Sequence, residues 1–265
     1  MKYLIVPDVH GRDFWVKPVQ EALNNDNIKI IFLGDYLDPY PDEFEKHVDY
    51  KELAFEQFKY ILKLKNDYPN KITLLLGNHD ASYAISTKIC DCRRDYQRFS
   101  SIRELFHLNK DKFSLLTEVK QNDKRFIISH AGLSLEWLKQ ANMQGFTKEN
   151  IVDYLNNKYE LMVNSDNPEE NEFAYDLGMC SYYRGGYNKV SSIVWADICE
   201  FVFGNLEYID YQIFGHTRAY SKPIVCEKFA MLDCSKVFYL NEDGTITYEN
   251  GENAQNFTFD ELSQK

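Results

Sequence analysis

The feature that most limits how this chain folds is a set of five short apolar runs, each broken off by a histidine, aspartate or asparagine. "YLIVPDVHG" runs into Asp8 and His10, and "KIIFLGDYLD" into Asp35 and Asp38. "ITLLLGNHD" ends on Asn78, His79 and Asp80, "RFIISHAG" on His130, and "YQIFGHT" on His216. Each run is continuous aliphatic and β-branched sequence of strand length, the pattern of strands buried on both faces by other layers. In four of the five a glycine sits beside the polar residue, where a chain turns sharply or approaches a ligand closely. Loops beyond the ends of buried strands are where α/β proteins carry function.

Between the runs the pattern changes to helical. Ala54, Phe58, Ile61 and Leu62 fall at helical spacing within residues 44–66, and Pro69 closes that segment. Residues 81–109 read as helical and loop-rich. "FSLLTEVKQNDKRFIISH" reads as a hairpin turning at Asn122 and Asp123. Two further helices are expected around 133–146 and 148–163. Residues 164–172 form the most loop-like stretch, with strand-like runs expected to resume beyond it. Past His216 the chain reads as short strands: "PIVC", "FAMLDC", "KVFYL" and "TITYE". Because the motifs at residues 8 and 216 bracket most of the chain, we expect a single domain over 1–265. Its core motifs lie in 1–235, with C-terminal strands and a short tail in 236–265.

Charge and cysteine usage narrow the setting. Lys and Arg total 30 against 41 Asp and Glu, a net charge of −11, which argues against a protein that wraps nucleic acid. A small phosphate ester in a local site stays open. The N-terminal apolar run is too short for a signal-peptide core, and no uncharged apolar stretch approaches membrane-spanning length. The six cysteines match no common zinc or redox spacing, so reduced thiols in a cytoplasmic protein are expected.

Four of the six histidines stand at strand ends with Asp8, Asp35, Asp38 and Asn78 in the same setting. Buried carboxylates converging there would repel one another unless cations neutralised them. The mixed Asp, His and Asn set suits Mn²⁺, Fe or Zn²⁺ better than Ca²⁺. His47 and His107 lie in charged sequence and are expected at the surface.

"DVHG", "GDYLD", "GNHD", "SHAG" and "FGHT", in this order and spacing, resemble the calcineurin-like metallophosphoesterases, closest to the phosphoprotein phosphatase and diadenosine tetraphosphatase branch. The resemblance implies an αββα sandwich: two mixed β-sheets flanked by helices. It also implies two divalent metal ions, Mn²⁺ first, with Fe or Zn²⁺ as alternatives. Asp8 and His10 would bind one metal, Asp35 would bridge both, and Asn78, His130 and His216 would complete the second. His79 would serve the leaving group, with Asp38 orienting it. The implied reaction is hydrolysis of a phosphate monoester by a metal-bridging hydroxide, on a phosphorylated protein, nucleotide or small molecule.

Two departures from the family pattern matter. Relatives usually read G-D-x-x-D-R, with the Arg gripping phosphate, whereas here Pro39 follows Asp38. Arg184, beside a glycine pair and upstream of "VWAD", is the first candidate to replace it, and Arg218 the second. An exposed or ion-paired arginine is the plain alternative for each. Superfamily nucleases and many phosphodiesterases read G-H-x-H, where this chain has "GHTR". A phosphodiesterase or nuclease is therefore the weaker alternative, and a non-catalytic module weaker still, since every ligand position is intact. "CDCRRDYQRF", with Arg93, Arg94 and Arg98, reads as a solvated helix face, the alternative being a loop at the site rim.

Overall fold

The computed structural model describes residues 1–85, 92–202 and 211–263. The first half alternates strand and helix: β1 (Lys2–Val6), α1 (Val16–Leu23), β2 (Ile28–Phe32), α2 (Tyr50–Asp67), β3 (Ile72–Leu75), α3 (Asn78–Ala84), α4 (Phe99–Leu108) and β4 (Phe113–Ser114). The hairpin β5 (Leu116–Gln121) and β6 (Lys124–Ser129) follows, then α5 (Leu135–Gln140), α6 (Ile151–Val163), α7 (Glu172–Leu177) and α8 (Ile198–Val202). The chain ends with β7 (Tyr211–Phe214), β8 (Ile224–Val225), β9 (Phe229–Met231), β10 (Phe238–Leu240), β11 (Ile246–Tyr248) and α9 (Phe259–Ser263).

These strands make two mixed sheets, ordered β11-β10-β1-β2-β3-β4 and β5-β6-β7-β9-β8. β1 to β4 are parallel, and β10 joins antiparallel to β1, so residues 236–248 extend the first sheet. In the second sheet β6, β7 and β9 are parallel neighbours.

Strand alternation explains why the runs are apolar on every residue. Leu4, Val6, Ile30, Phe32 and Leu74 face the core shared with the helices. Ile5, Ile31, Leu33 and Leu75 face the other way, meeting Phe126, Ile128 and Ile213 of the second sheet. The outer face of that sheet, Phe214, Phe229 and Met231, packs with Phe201 of α8 and Leu262 of α9. Both faces of each sheet are therefore covered, which gives the αββα layering. Each fully buried large side chain contributes on the order of 2–3 kcal/mol of burial free energy.

Local chemistry sets the boundaries. The hairpin turns at Asn122 and Asp123 with φ of 47° and 60°, the left-handed pair a two-residue turn requires. α2 starts at Tyr50 rather than near residue 44, because the Asp49 carboxylate accepts the Glu52 N–H at 3.0 Å and caps the helix there. Strand-like runs do not resume directly after 164–172. A 3₁₀ turn at Pro168–Glu170 lies within that stretch and α7 takes over from Glu172, while "SSIVWAD" is irregular chain, its Ile193 carbonyl accepting the Ala131 N–H at 3.1 Å. That run is apolar because it is buried as a loop. Cys92, Cys180, Cys199, Cys226 and Cys234 are free thiols, and Cys90 lies outside the described residues. No helix among the described residues is long and apolar enough to cross a membrane.

Candidate metal centre

The parallel strands bring their C-terminal ends to one edge of the sandwich. Asp8 and His10 follow β1, Asp35 and Asp38 follow β2, Asn78 and His79 open α3 after β3, and His130 and His216 follow β6 and β7. Asp8, His10, Asp35, Asp38, Asn78, His79 and His130 are all buried. His10, Asp35, Asp38 and His216 have φ between 46° and 62°, in the left-handed region that side chains normally avoid. Such strain persists only where the surroundings fix it, and it clusters at functional sites.

Backbone contacts aim the donors. His10 Nδ1 lies 2.7 Å from the Leu37 carbonyl and His130 Nδ1 lies 2.9 Å from the Leu33 carbonyl. A carbonyl only accepts, so in both rings Nδ1 carries a proton and Nε2 is the nitrogen turned to the centre. Asp35 Oδ1 accepts the His79 N–H at 3.0 Å. Its Oδ2 stands 3.4 Å from His10 Nε2 and 3.5 Å from His130 Nε2. His130 Nε2 is also 3.0 Å from Asn78 Oδ1 and 3.2 Å from His216 Nδ1. The His216 N–H reaches both Asp8 carboxylate oxygens, at 2.9 and 3.1 Å.

The glycines of the motifs make room for these carboxylates. A Cβ on Gly77 would meet Asp35 Oδ1 at 2.1 Å, and one on Gly215 would meet Asp8 Oδ1 at 2.1 Å. At both positions the requirement is close approach.

Burial sets the charge states and the partners modify them. Burial pushes the Asp8 carboxyl up, while His130 opposes it. Burial would also raise Asp35, but His130, His79 and His10 outweigh it and hold that carboxyl below its ordinary value. Burial drives His10 and His216 well down, Arg184 adding to the effect on His216, so both rings are neutral. For His79 burial acts downward as well, but Asp35, Cys92 and the Asp38 hydrogen bond together lift it well above the usual imidazole range.

The cluster fits a divalent cation by the chemistry of its donors. Asp8, Asp35, His130 and His216 place one ligand-type atom each within 4.8 Å of one another, and so do His10, Asp35 and His79. The neutral His10 ring turns Nε2 toward Asp35 Oδ2. His79 falls geometrically within the second group, yet its Nδ1 is engaged by Asp38 Oδ2 at 2.7 Å. The other Asp38 oxygen accepts the Tyr83 hydroxyl at 2.5 Å.

The sequence matches the calcineurin-like phosphoesterase family over residues 1–220. The chain belongs to that family. That family is one of metal-dependent phosphoesterases. A "Probable serine/threonine-protein phosphatase" from Encephalitozoon cuniculi is 27% identical over 150 residues, 53% of this chain and 28% of that protein. The match thus spans well under half of that curated relative. Among solved structures, a cold-active protein-tyrosine phosphatase of a psychrophile, Shewanella sp., aligns with a TM-score of 0.57 at 15% identity, covering 93% of this chain and 80% of its own. A protein serine/threonine phosphatase from Saccharomyces cerevisiae gives 0.54 at 14%, covering 96% and 76%. At these identities the likeness is one of fold.

Around the phosphoesterase centre the structure adds residues that sequence reasoning left without a role. Asp80 accepts three backbone N–H groups, from Asp35 at 2.6 Å, Gly77 at 2.9 Å and Tyr36 at 3.1 Å, tying the β2 and β3 loops together. Its place in "GNHD", three residues past Gly77 at a helix start, is the capping signal that could have found it. Tyr83 fixes Asp38. Tyr40 places its ring edge-on to His10 with centroids 5.1 Å apart, and His10 is in turn 5.0 Å from His79.

Arginines surround Tyr40. The guanidinium carbons of Arg93, Arg218 and Arg12 lie 3.6, 4.7 and 5.7 Å from its ring centroid. Arg218 is paired with Glu43 and also stacks on Tyr220. Arg184 pairs with Asp197 at 2.8 Å and bonds the Thr217 hydroxyl. The solvated helix face expected for Arg93, Arg94 and Arg98 is not what forms: residues 92–95 carry no helix, and α4 begins at Phe99. Arg98 is taken up by Asp49, Glu52 and Asp95. His47 and His107 are exposed, away from the centre.

Proposed function

We propose that this phosphoesterase is a dinuclear phosphatase acting on phosphate monoesters. The observation that carries the reading is the position of Asp35 Oδ2, shared between His10 Nε2 at 3.4 Å and His130 Nε2 at 3.5 Å. One carboxylate oxygen thus belongs to two adjoining donor sets. Asp8, His10 and Asp35 would hold one cation, and Asp35, Asn78, His130 and His216 the other. The donor mixture favours Mn²⁺, with Fe or Zn²⁺ next. When bound, the pair would supply Lewis acidity that activates water at neutral pH and neutralises phosphoryl charge.

The chain's own groups do the rest. His79 donates a proton to the departing alkoxide from Nε2. Asp38, accepting from His79 Nδ1, fixes the ring's tautomer and stabilises its charged form. Tyr83 holds Asp38 in place. Arg184 and Arg218 line the approach as substrate-facing cations, each moderated by a carboxylate neighbour, Asp197 or Glu43. Phosphorylated proteins, nucleotides and small molecules all present the required group.

The test is turnover of an aryl phosphate. Chelation should abolish phosphate release and Mn²⁺ should restore it, with a bis-aryl phosphate hydrolysed much more slowly. Protein that holds two equivalents of metal yet releases phosphate from no phosphoester rules the reading out.

A further inference from the structure

We propose that Arg93 grips the phosphoryl group of the substrate and biases the site towards monoesters over diesters; this rests on the phosphatase reading above. Four arginines near the centre have carboxylates to neutralise them: Arg12 has Glu43 and Asp233, Arg218 has Glu43, Arg184 has Asp197, and Arg98 has Asp49, Glu52 and Asp95. Arg93 has no carboxylate partner among the described residues. One of its donors, Nη2, bonds the Asp38 carbonyl at 3.0 Å, and its Nε is shielded from solvent without a partner. Its guanidinium packs 3.6 Å from the centroid of the Tyr40 ring. Packing on an aromatic face fixes the plane of the fork without cancelling its charge. A half-buried guanidinium with spare donors and no counter-charge is a site for an anion.

Its location selects which anion. Asp38 binds Arg93 through its backbone carbonyl and His79 through its carboxylate, so one residue places the cationic fork and the imidazole beside the same centre. Pro39, next in sequence, offers neither a side-chain donor nor an N–H there. A phosphate monoester carries three terminal oxygens and a diester two. A guanidinium beside the centre supplies a charge-assisted partner for the third oxygen, which a diester replaces with an ester group.

Arg93→Gln and Arg93→Lys test this in the Mn²⁺-loaded full chain. Three quantities are read: kcat/KM on aryl and bis-aryl phosphate, inhibition by inorganic phosphate, and calorimetric binding of inorganic phosphate. The Gln variant should lose about 10- to 100-fold in monoester kcat/KM and in phosphate affinity, with diester kcat/KM changed less than about threefold. Lys keeps the charge and the stem, so it should recover part of both losses and keeps the test open if the Gln variant misfolds. Equal losses on both esters, or phosphate affinity unmoved in both variants, would overturn the role of Arg93. A wild-type protein without turnover would instead sink the phosphatase reading, while the calorimetric arm would still measure Arg93.

Discussion

The floor of the site, around Asp35, and its rim, around Tyr40, are both dense with charge but are organised by opposite means. On the floor Asp8, Asp35, His10 and His130 are each pinned by a backbone group. Asp35 accepts the His79 N–H, Asp8 accepts the His216 N–H, and His10 and His130 donate to carbonyls. At the rim the guanidinium groups are held mainly by an aromatic ring and by other side chains, above all Glu43, which takes both Arg12 and Arg218, with the Asp8 and Asp38 carbonyls accepting one bond each from Arg12 and Arg93. A floor built on main-chain bonds is preorganised and tolerates no change of donor. A rim built on ion pairs is adjustable, so substrate preference can shift there without disturbing the chemistry.

The comparison can be broken most sharply at the floor. Asp35→Asn should reduce activity by on the order of 10³-fold or more and lower metal content, because the shared oxygen loses its charge; wild-type metal stoichiometry in that variant would contradict the bridging role. His79→Asn should lower kcat by on the order of 10²–10³-fold with metal content near normal, as measured by elemental analysis beside steady-state kinetics. Asp80→Ala leaves three buried N–H groups without their acceptor and should cost about 3–5 kcal/mol in denaturant unfolding. A rim change should be milder. Glu43→Gln removes the carboxylate partner of Arg218 and leaves Arg12 with Asp233 alone, so inorganic phosphate should inhibit a few-fold more tightly (roughly 2- to 5-fold), an effect that fades with added salt.

The smallest effect is expected away from both regions. Burial, with Glu172 adding to it, raises the Asp176 carboxyl from 3.8 to about 6. A raised carboxyl binds its proton more readily in the folded state, so its ionisation costs stability as pH climbs from 3.8 to about 6. Asp176→Asn should therefore be neutral at low pH and stabilising, by no more than about 0.5 kcal/mol, above that window. Thermal melts at three pH values would show it.

Legibility in the sequence followed the same division. The strands and the converging donors could be read directly, because a strand buried on both faces must be apolar throughout and the first polar residues beyond its end are local. Asp80 was in plain view without a role, since its partners Asp35 and Tyr36 come from another loop. Tyr40 and Arg93 meet only after α2 and β3 have folded between them. Arg93 reads as part of a helix face because charge runs usually are. The strand-like runs expected beyond residues 164–172 do not begin at "SSIVWAD", because a buried loop and a buried strand share composition.

What the sequence by itself determined is a succession of strands buried on both faces with helices between them and the set of donors at the strand ends, since hydrophobic period and strand-end chemistry act over a few residues, while the αββα layering came from the family resemblance. The tertiary structure alone decided which oxygen of Asp35 faces both histidines, which arginines are neutralised, and that no carboxylate among the described residues cancels the charge of Arg93 beside Asp38. Those outcomes depend on contacts between segments tens to hundreds of residues apart, and on which carboxylate reaches a given guanidinium first, and no local pattern records either.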